Sequence, residues 1–359
     1  MHAKFLLPLV AAQVVWAQTL TEVLVSKNDT LSTLISLVRG QPDLLGALAG
    51  ASNITVLAPS NEAFNKLLAD PAVAAAVQST PGLVPALLSY HVLNGTFYAS
   101  ALAGLAAPAF VPTYLAGNAE YSTVSGGQVV AVKGDNNGGG VTVLSGGGAS
   151  ARVTGADLNF TGGTVHIIDS VLSIPPNLTT ALTQAKLISL ATAATKANLV
   201  TPLSDARELT LFAPNDEAFA AVAGVAASLT IEQLAGVLGY HVVNGSAVCS
   251  SAVANGTMAK TAQGSDVTLT VRDGSVFVNQ AKVVKADVLV KNGVVHVIDG
   301  VLIPDAMSGS KPDPSTTRAT GASPATGTAS VVPGMTTNLG KGVAGTAVLL
   351  GGVAALMNM

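Results

Sequence analysis

Two histidines each stand three residues before an aspartate: His166 before Asp169 and His296 before Asp299. A His–Asp pair could serve general acid–base catalysis or a metal site. Both pairs lie in apolar stretches, VHIIDSVL and VHVIDGVL, which read as strands. Residues three apart on a strand face opposite sides, so neither pair converges without partners from elsewhere. The other histidines are His2, His91 and His241. The chain also lacks a G-x-S-x-G elbow, an HExxH motif and a dinucleotide fingerprint after a predicted strand. The expectation is a non-enzymatic protein with no cofactor and no metal.

The segments around these residues occur twice, in one order. Thr55–Phe64 (TVLAPSNEAF) returns as Thr210–Phe219 (TLFAPNDEAF), and Tyr90–Gly95 (YHVLNG) as Tyr240–Gly245 (YHVVNG). Ala151–Leu172 returns as Ala281–Leu302. A period of about 150 residues means two copies of one domain, not a solenoid of short repeats. The copies are expected at 18–175 and 176–304.

Each copy opens on a helical pattern. Leu31, Leu34, Ile35 and Val38 keep helical spacing, and Leu182, Ala185, Leu187, Leu190 and Ala194 follow it more loosely. Thr55–Ala58 and Thr210–Ala213 then read as buried strands ended by proline, with Ser60 and Asn215 as N-caps of the next helix. Strands are expected at Gln128–Lys133, Val141–Leu144, Asp266–Arg272 and Ser275–Asn279, the last two joined by an Asp273-Gly274 hairpin turn. Copy one is longer between its YH and VH motifs. Glycine-rich Gly134–Gly148 is expected to supply much of the excess, as an exposed loop. Asp157 and Asp287 recur at one matched position. A lone carboxylate caps a turn or pairs with a base, and Arg152 and Lys282, also matched, are the candidate partners.

The ends carry processing patterns. His2 and Lys4 precede an apolar run that closes on Val15-Trp16-Ala17, so residues 1–17 read as a secretory signal peptide. Residues 338–359 read as a glycosylphosphatidylinositol attachment signal, with Asn338 as the attachment residue and Gly334 as the alternative. A plain C-terminal anchor helix is the competing reading. Residues 305–337, rich in Ser, Thr, Pro and Gly, read as an extended, O-glycosylated stalk.

Seven N-glycosylation sequons stand at Asn28, Asn53, Asn94, Asn159, Asn177, Asn244 and Asn255. Asn94 and Asn244 are matched, and each could equally be a turn residue before its glycine. Cys249 is the single cysteine, so no intrachain disulfide can form and each copy must be held by its own core. It reads as a buried small apolar residue, with a reactive thiol or an intermolecular bridge as alternatives. The net charge of −3 includes no basic stripe, which argues against nucleic acid.

The three motifs, in this order and present twice, resemble the fasciclin-type adhesion domain. The resemblance implies an α+β fold: two tandem domains, each a β-sheet wedge packed with several α-helices. With the signal, stalk and anchor it looks like fungal, surface-anchored members of the family. It implies cell adhesion or contact with cell wall, matrix or cell-surface protein or carbohydrate, and membrane attachment through a lipid anchor. A vacuolar or endomembrane role in fusion or autophagy is a second reading. A module binding an apolar ligand is a third. In animal members the Tyr-His segment is taken as an integrin-contacting element, which makes Tyr90, His91, Tyr240 and His241 the possible adhesion contacts. Read from the residues alone, the same side chains sit among Leu87, Leu88, Val92 and Leu93 and pack at a core edge, hydrogen-bonded to backbone.

Overall fold

The computed structural model of the protein describes residues 18–135 and 139–304. The expected signal segment, the stalk, the attachment segment with Asn338, the alternative Gly334 and the tip of the glycine-rich loop lie outside the described residues.

Copy one builds seven strands: β1 (Ile54–Pro59), β2 (Val92–Asn94), β3 (Ala109–Pro112), β4 (Val129–Gly134), β5 (Val141–Leu144), β6 (Ser150–Phe160) and β7 (Gly163–Ile168). Copy two repeats them as β8 (Leu209–Pro214), β9 (Val242–Val243), β10 (Thr257–Lys260), β11 (Asp266–Arg272), β12 (Ser275–Val278), β13 (Ala281–Val290) and β14 (Gly293–Ile298). The first sheet runs β2-β1-β7-β6-β5-β4-β3, and the second follows the same order from β9 to β10. Neighbours are antiparallel except β1 with β7 and β8 with β14. The chain after β3 returns to β2 through the Tyr114 N–H, which donates to the Val92 carbonyl at 2.8 Å. Ala262 does the same to Val242 in copy two at 2.7 Å. Each sheet thereby bends back toward itself.

All six residues of β1 are buried because its two faces cover different cores. Val56 and Ala58 meet the helical layer through Leu31, Leu34, Ile35 and Val38. Leu57 faces a second core with Tyr90, Val130 and Ile168. In β8, Leu211 and Ala213 join the helical core while Phe212 joins the other. A strand covered on both sides reads as an unbroken apolar run, as these do. Pro59 and Pro214 end them. Ser60 Oγ then accepts from the Ala63 N–H at 3.2 Å, and Asn215 Oδ1 from the Ala218 N–H at 2.8 Å. Both are the expected N-caps. The Asp273-Gly274 turn has φ of 50° and 71°, the left-handed pair of a type I′ hairpin.

Two expectations change. The pattern from Leu182 to Ala194 is not one helix but two, Leu178–Gln184 and Ile188–Lys196. Lys186 breaks it with φ 58°, where the Leu187 N–H turns back to the Leu182 carbonyl at 2.9 Å. The extra length of copy one sits mainly in residues 113–128, between β3 and β4, where copy two has only 261–265. Nor is the glycine-rich segment simply an exposed loop. Gly146 is buried, and a Cβ there would lie 2.4 Å from the Pro175 Cα, at the boundary between the copies.

Candidate functional site

The chemistry-bearing residues converge on the rim of the second core in each copy, and the backbone holds them there. Tyr90 and His91 end the helix Leu83–Tyr90, and Tyr240 and His241 end Ile231–Tyr240. All four are interior, with relative exposures of 0%, 3%, 5% and 0% respectively. Tyr90 donates to the Val129 carbonyl at 2.9 Å and Tyr240 to the Asp266 carbonyl at 3.0 Å, each at the first residue of a matched strand. Burial raises the Tyr90 phenol well above its ordinary range.

His91 Nε2 accepts from the Leu172 N–H at 2.9 Å, which leaves Nδ1 to donate to the Leu87 carbonyl at 2.7 Å. His241 repeats this with Leu302 at 2.8 Å and Val237 at 2.8 Å. Each imidazole ties the segment that follows the closing strand to the last turns of a helix. Burial pushes both down to about 4, against a lesser opposing effect of the carbonyl each one meets.

The second histidines take the opposite tautomer. His166 Nδ1 accepts from the Asp157 N–H at 3.1 Å, and Nε2 donates to the Phe97 carbonyl at 2.7 Å. His296 does the same with Asp287 at 3.2 Å and Val248 at 2.8 Å. Burial also lowers His296. Asp157 and Asp287 reach the rings because β6 and β13 shift register there, placing both in left-handed backbone at φ 57° and 60°. Their carboxylates accept from the Ala99 and Ser250 N–H groups, at 2.9 and 2.8 Å.

As the strand spacing implied, Asp169 and Asp299 do not meet the histidines: they accept the backbone N–H of Arg152 and Lys282, at 2.8 and 2.7 Å. The Arg152 guanidinium pairs with Asp135 rather than with Asp157.

Among the described residues, both nitrogens of all four imidazoles are bonded to backbone. Among the described residues, no group of three His, Cys, Asp or Glu side chains could hold a metal. Cys249 is half-buried, and burial, with the Asp287 charge adding, pushes its thiol up to about 12. It is thus a thiol and not a thiolate at neutral pH. The seven sequon asparagines are all exposed. Asn53, Asn177 and Asn255 also accept backbone N–H groups through Oδ1.

Sequence reading missed Thr55 and Thr210. Each hydroxyl donates to a carbonyl of the post-YH loop (Gly95 at 2.8 Å, Ser246 at 2.6 Å) and accepts an N–H from it (Phe97 at 2.9 Å, Val248 at 2.8 Å). Their recurrence at the head of the first motif was the available signal. These bonds also show that copy two carries one more residue in that loop.

The sequence model of the Fasciclin domain matches residues 29–175 and again 185–304. The chain belongs to the fasciclin domain family. It forms two tandem fasciclin domains, each a seven-stranded sheet with helices. A fasciclin-like arabinogalactan protein of Phaeosphaeria nodorum is 31% identical over 284 residues, 79% of this chain and 88% of that protein. One of Arthroderma benhamiae is 27% identical over 295 residues, covering 82% of this chain and 68% of the relative. Human periostin is 31% identical over 162 residues, 44% of this chain and 19% of periostin. Among solved structures, a FAS1 domain pair from the insect cell adhesion molecule Fasciclin I aligns over 78% of this chain and 99% of that one, at 20% identity and a TM-score of 0.37.

Proposed function

We propose that this fasciclin-domain protein is a secreted, surface-anchored, non-enzymatic glycoprotein that makes adhesive contacts with cell wall, matrix or neighbouring cells. The observation that carries this is the internal use of its reactive side chains: among the described residues, every imidazole nitrogen is bonded to backbone. The relatives named fasciclin-like arabinogalactan proteins support a glycosylated extracellular role. So does the exposure of all seven sequon asparagines. Attachment at Asn338 and a stalk over 305–337 would hold the domains on the order of 100 Å from the membrane, at ~3 Å per extended residue. Many chains on one surface would raise avidity without strong single contacts.

The Tyr-His side chains are too deep to be the contact, so the reading places it on exposed groups beside them. In domain one Tyr98 and Tyr114 stand 47% and 37% exposed on the loops that follow β2 and β3, and exposed aromatic side chains are good anchors. Localisation of the full chain, combined with an adhesion assay in a deletion strain, tests the proposal. A surface signal released by a phosphatidylinositol-specific phospholipase, with adhesion lost on deletion and reduced by Tyr98→Ala with Tyr114→Ala, is the expected outcome. A vacuolar signal with no surface signal would overturn it in favour of an endomembrane role.

A further inference from the structure

The two domains meet through the long β3–β4 connection of domain one. Gln128, fully buried there, donates through Nε2 to the carbonyls of Val290 and Lys291 in domain two, at 3.1 and 3.4 Å. The Thr123 N–H reaches the Lys291 carbonyl at 3.1 Å. Beside these bonds lies a cavity of about 280 Å³. Val124 and Val129 of domain one and Ala247, Cys249, Leu289 and Val294 of domain two form its apolar wall. Among its lining residues Glu208 is the one carboxylate, and there is no lysine, arginine or histidine. The Ser125 N–H fixes the Glu208 carboxylate from across the junction, at 3.3 Å to Oε1.

The repeat shows how the space arises. Ala99 and Ser250 are matched, since each gives its N–H to the matched aspartate. The residue before them is Tyr98 in domain one and Cys249 in domain two. Domain two thus carries a small side chain where domain one carries a ring, and that small side chain lines the cavity.

We propose that this junction cavity binds a small amine, with a ring-sized apolar body against the valine–leucine wall and its protonated nitrogen on the Glu208 carboxylate. The volume is close to the lower end of ligand pockets, about 300 Å³, and domain junctions are where such pockets concentrate. A lone carboxylate beside an apolar wall favours a cation over a neutral or anionic ligand, because no basic side chain competes for it. Nothing is made or broken; the site is a receptor and not a catalyst.

The test uses the full-length chain and two probes of one shape, 2-phenylethylamine and 2-phenylethanol, followed by calorimetry and ligand-observed NMR. The amine should bind about tenfold more tightly than the alcohol, and Glu208→Gln should bring it down to the alcohol's level. Cys249→Tyr, which restores the ring of the sister domain, should abolish binding of both. If Cys249→Tyr does not fold, the Glu208→Gln comparison decides alone. No binding of the amine at millimolar concentration overturns the proposal. So does equal binding of the two probes, or amine binding that survives both Glu208→Gln and a folded Cys249→Tyr.

Discussion

In domain one residues 113–128 join β3 to β4, and in domain two 261–265 make the same connection; beneath them the hydrogen bonds hardly differ. His91 and His241 hold matched carbonyls and N–H groups, as do Thr55 and Thr210, and Asp157 and Asp287. What the copies share is interior wiring that satisfies buried backbone. What differs is directed at the junction: the long connection docks on domain two, and Gly146 packs on Pro175. A sequence repeat here therefore marks what the fold needs, and departures from it mark what joins the copies.

The strongest way to break this comparison is to remove one shared imidazole at a time. His241→Phe strands the Leu302 N–H and the Val237 carbonyl, and His91→Phe strands Leu172 and Leu87. Each orphaned buried group costs about 1–3 kcal/mol, so each variant should lose roughly 2–6 kcal/mol in urea denaturation. Equal losses support common wiring; a loss in one copy alone would end the claim.

Acid makes a related demand on each copy. Above the ordinary histidine value of 6.5, the imidazoles are neutral whether the chain is folded or not. As pH falls from 6.5 toward about 4, the unfolded imidazole takes a proton that the buried one refuses, so stability falls and levels off below that window. Each of His91 and His241 should contribute roughly 3 kcal/mol to the loss, and His296 adds in the same direction. Denaturation midpoints at pH 7 and pH 4.5 measure it. A midpoint that does not fall, or a His91→Phe variant with the full pH dependence, contradicts the assignment.

Much of this was legible in the chain. The β1 and β8 runs, the caps Ser60 and Asn215 and the Asp273-Gly274 turn depend on local chemistry, so residue type and spacing sufficed. The break at Lys186 was not legible, because a lysine in left-handed backbone leaves no mark in an apolar pattern. The pairing of His166 with Asp157 was hidden for another reason: a register shift in β6 aims the aspartate, and alternation assumes none. Gln128 reads as an ordinary polar residue at a strand start. Its partners lie more than 160 residues on, at Val290 and Lys291.

Gln128 gives the prediction for the part that is not shared. Gln128→Leu keeps the volume but removes the donor to two carbonyls of domain two and the acceptor for the Val129 N–H. The expected loss is about 1–3 kcal/mol, concentrated in the coupling between domains. Calorimetry should show one transition separating into two. A uniform fall of a single transition would mean that Gln128 serves domain one alone.

The smallest effect tests the most detailed claim, that the Ser60/Asn215 exchange between copies preserves one role. Both residues sit in extended backbone, at φ −68° and −71°, and both accept the N–H three residues on. The swaps Ser60→Asn and Asn215→Ser should therefore each change stability by no more than about 0.5 kcal/mol, since the two types cap about equally well. Ser60→Ala and Asn215→Ala remove the acceptor and should each cost about 1 kcal/mol. Asn215 has a second bond, from Nδ2 to Glu217 at 2.9 Å, but on an exposed surface, so it should add little. Urea midpoints of the four variants separate the cases. Swaps as damaging as the alanine changes would mean that the two positions are held by different contacts, and that the repeat preserves a shape there rather than a cap.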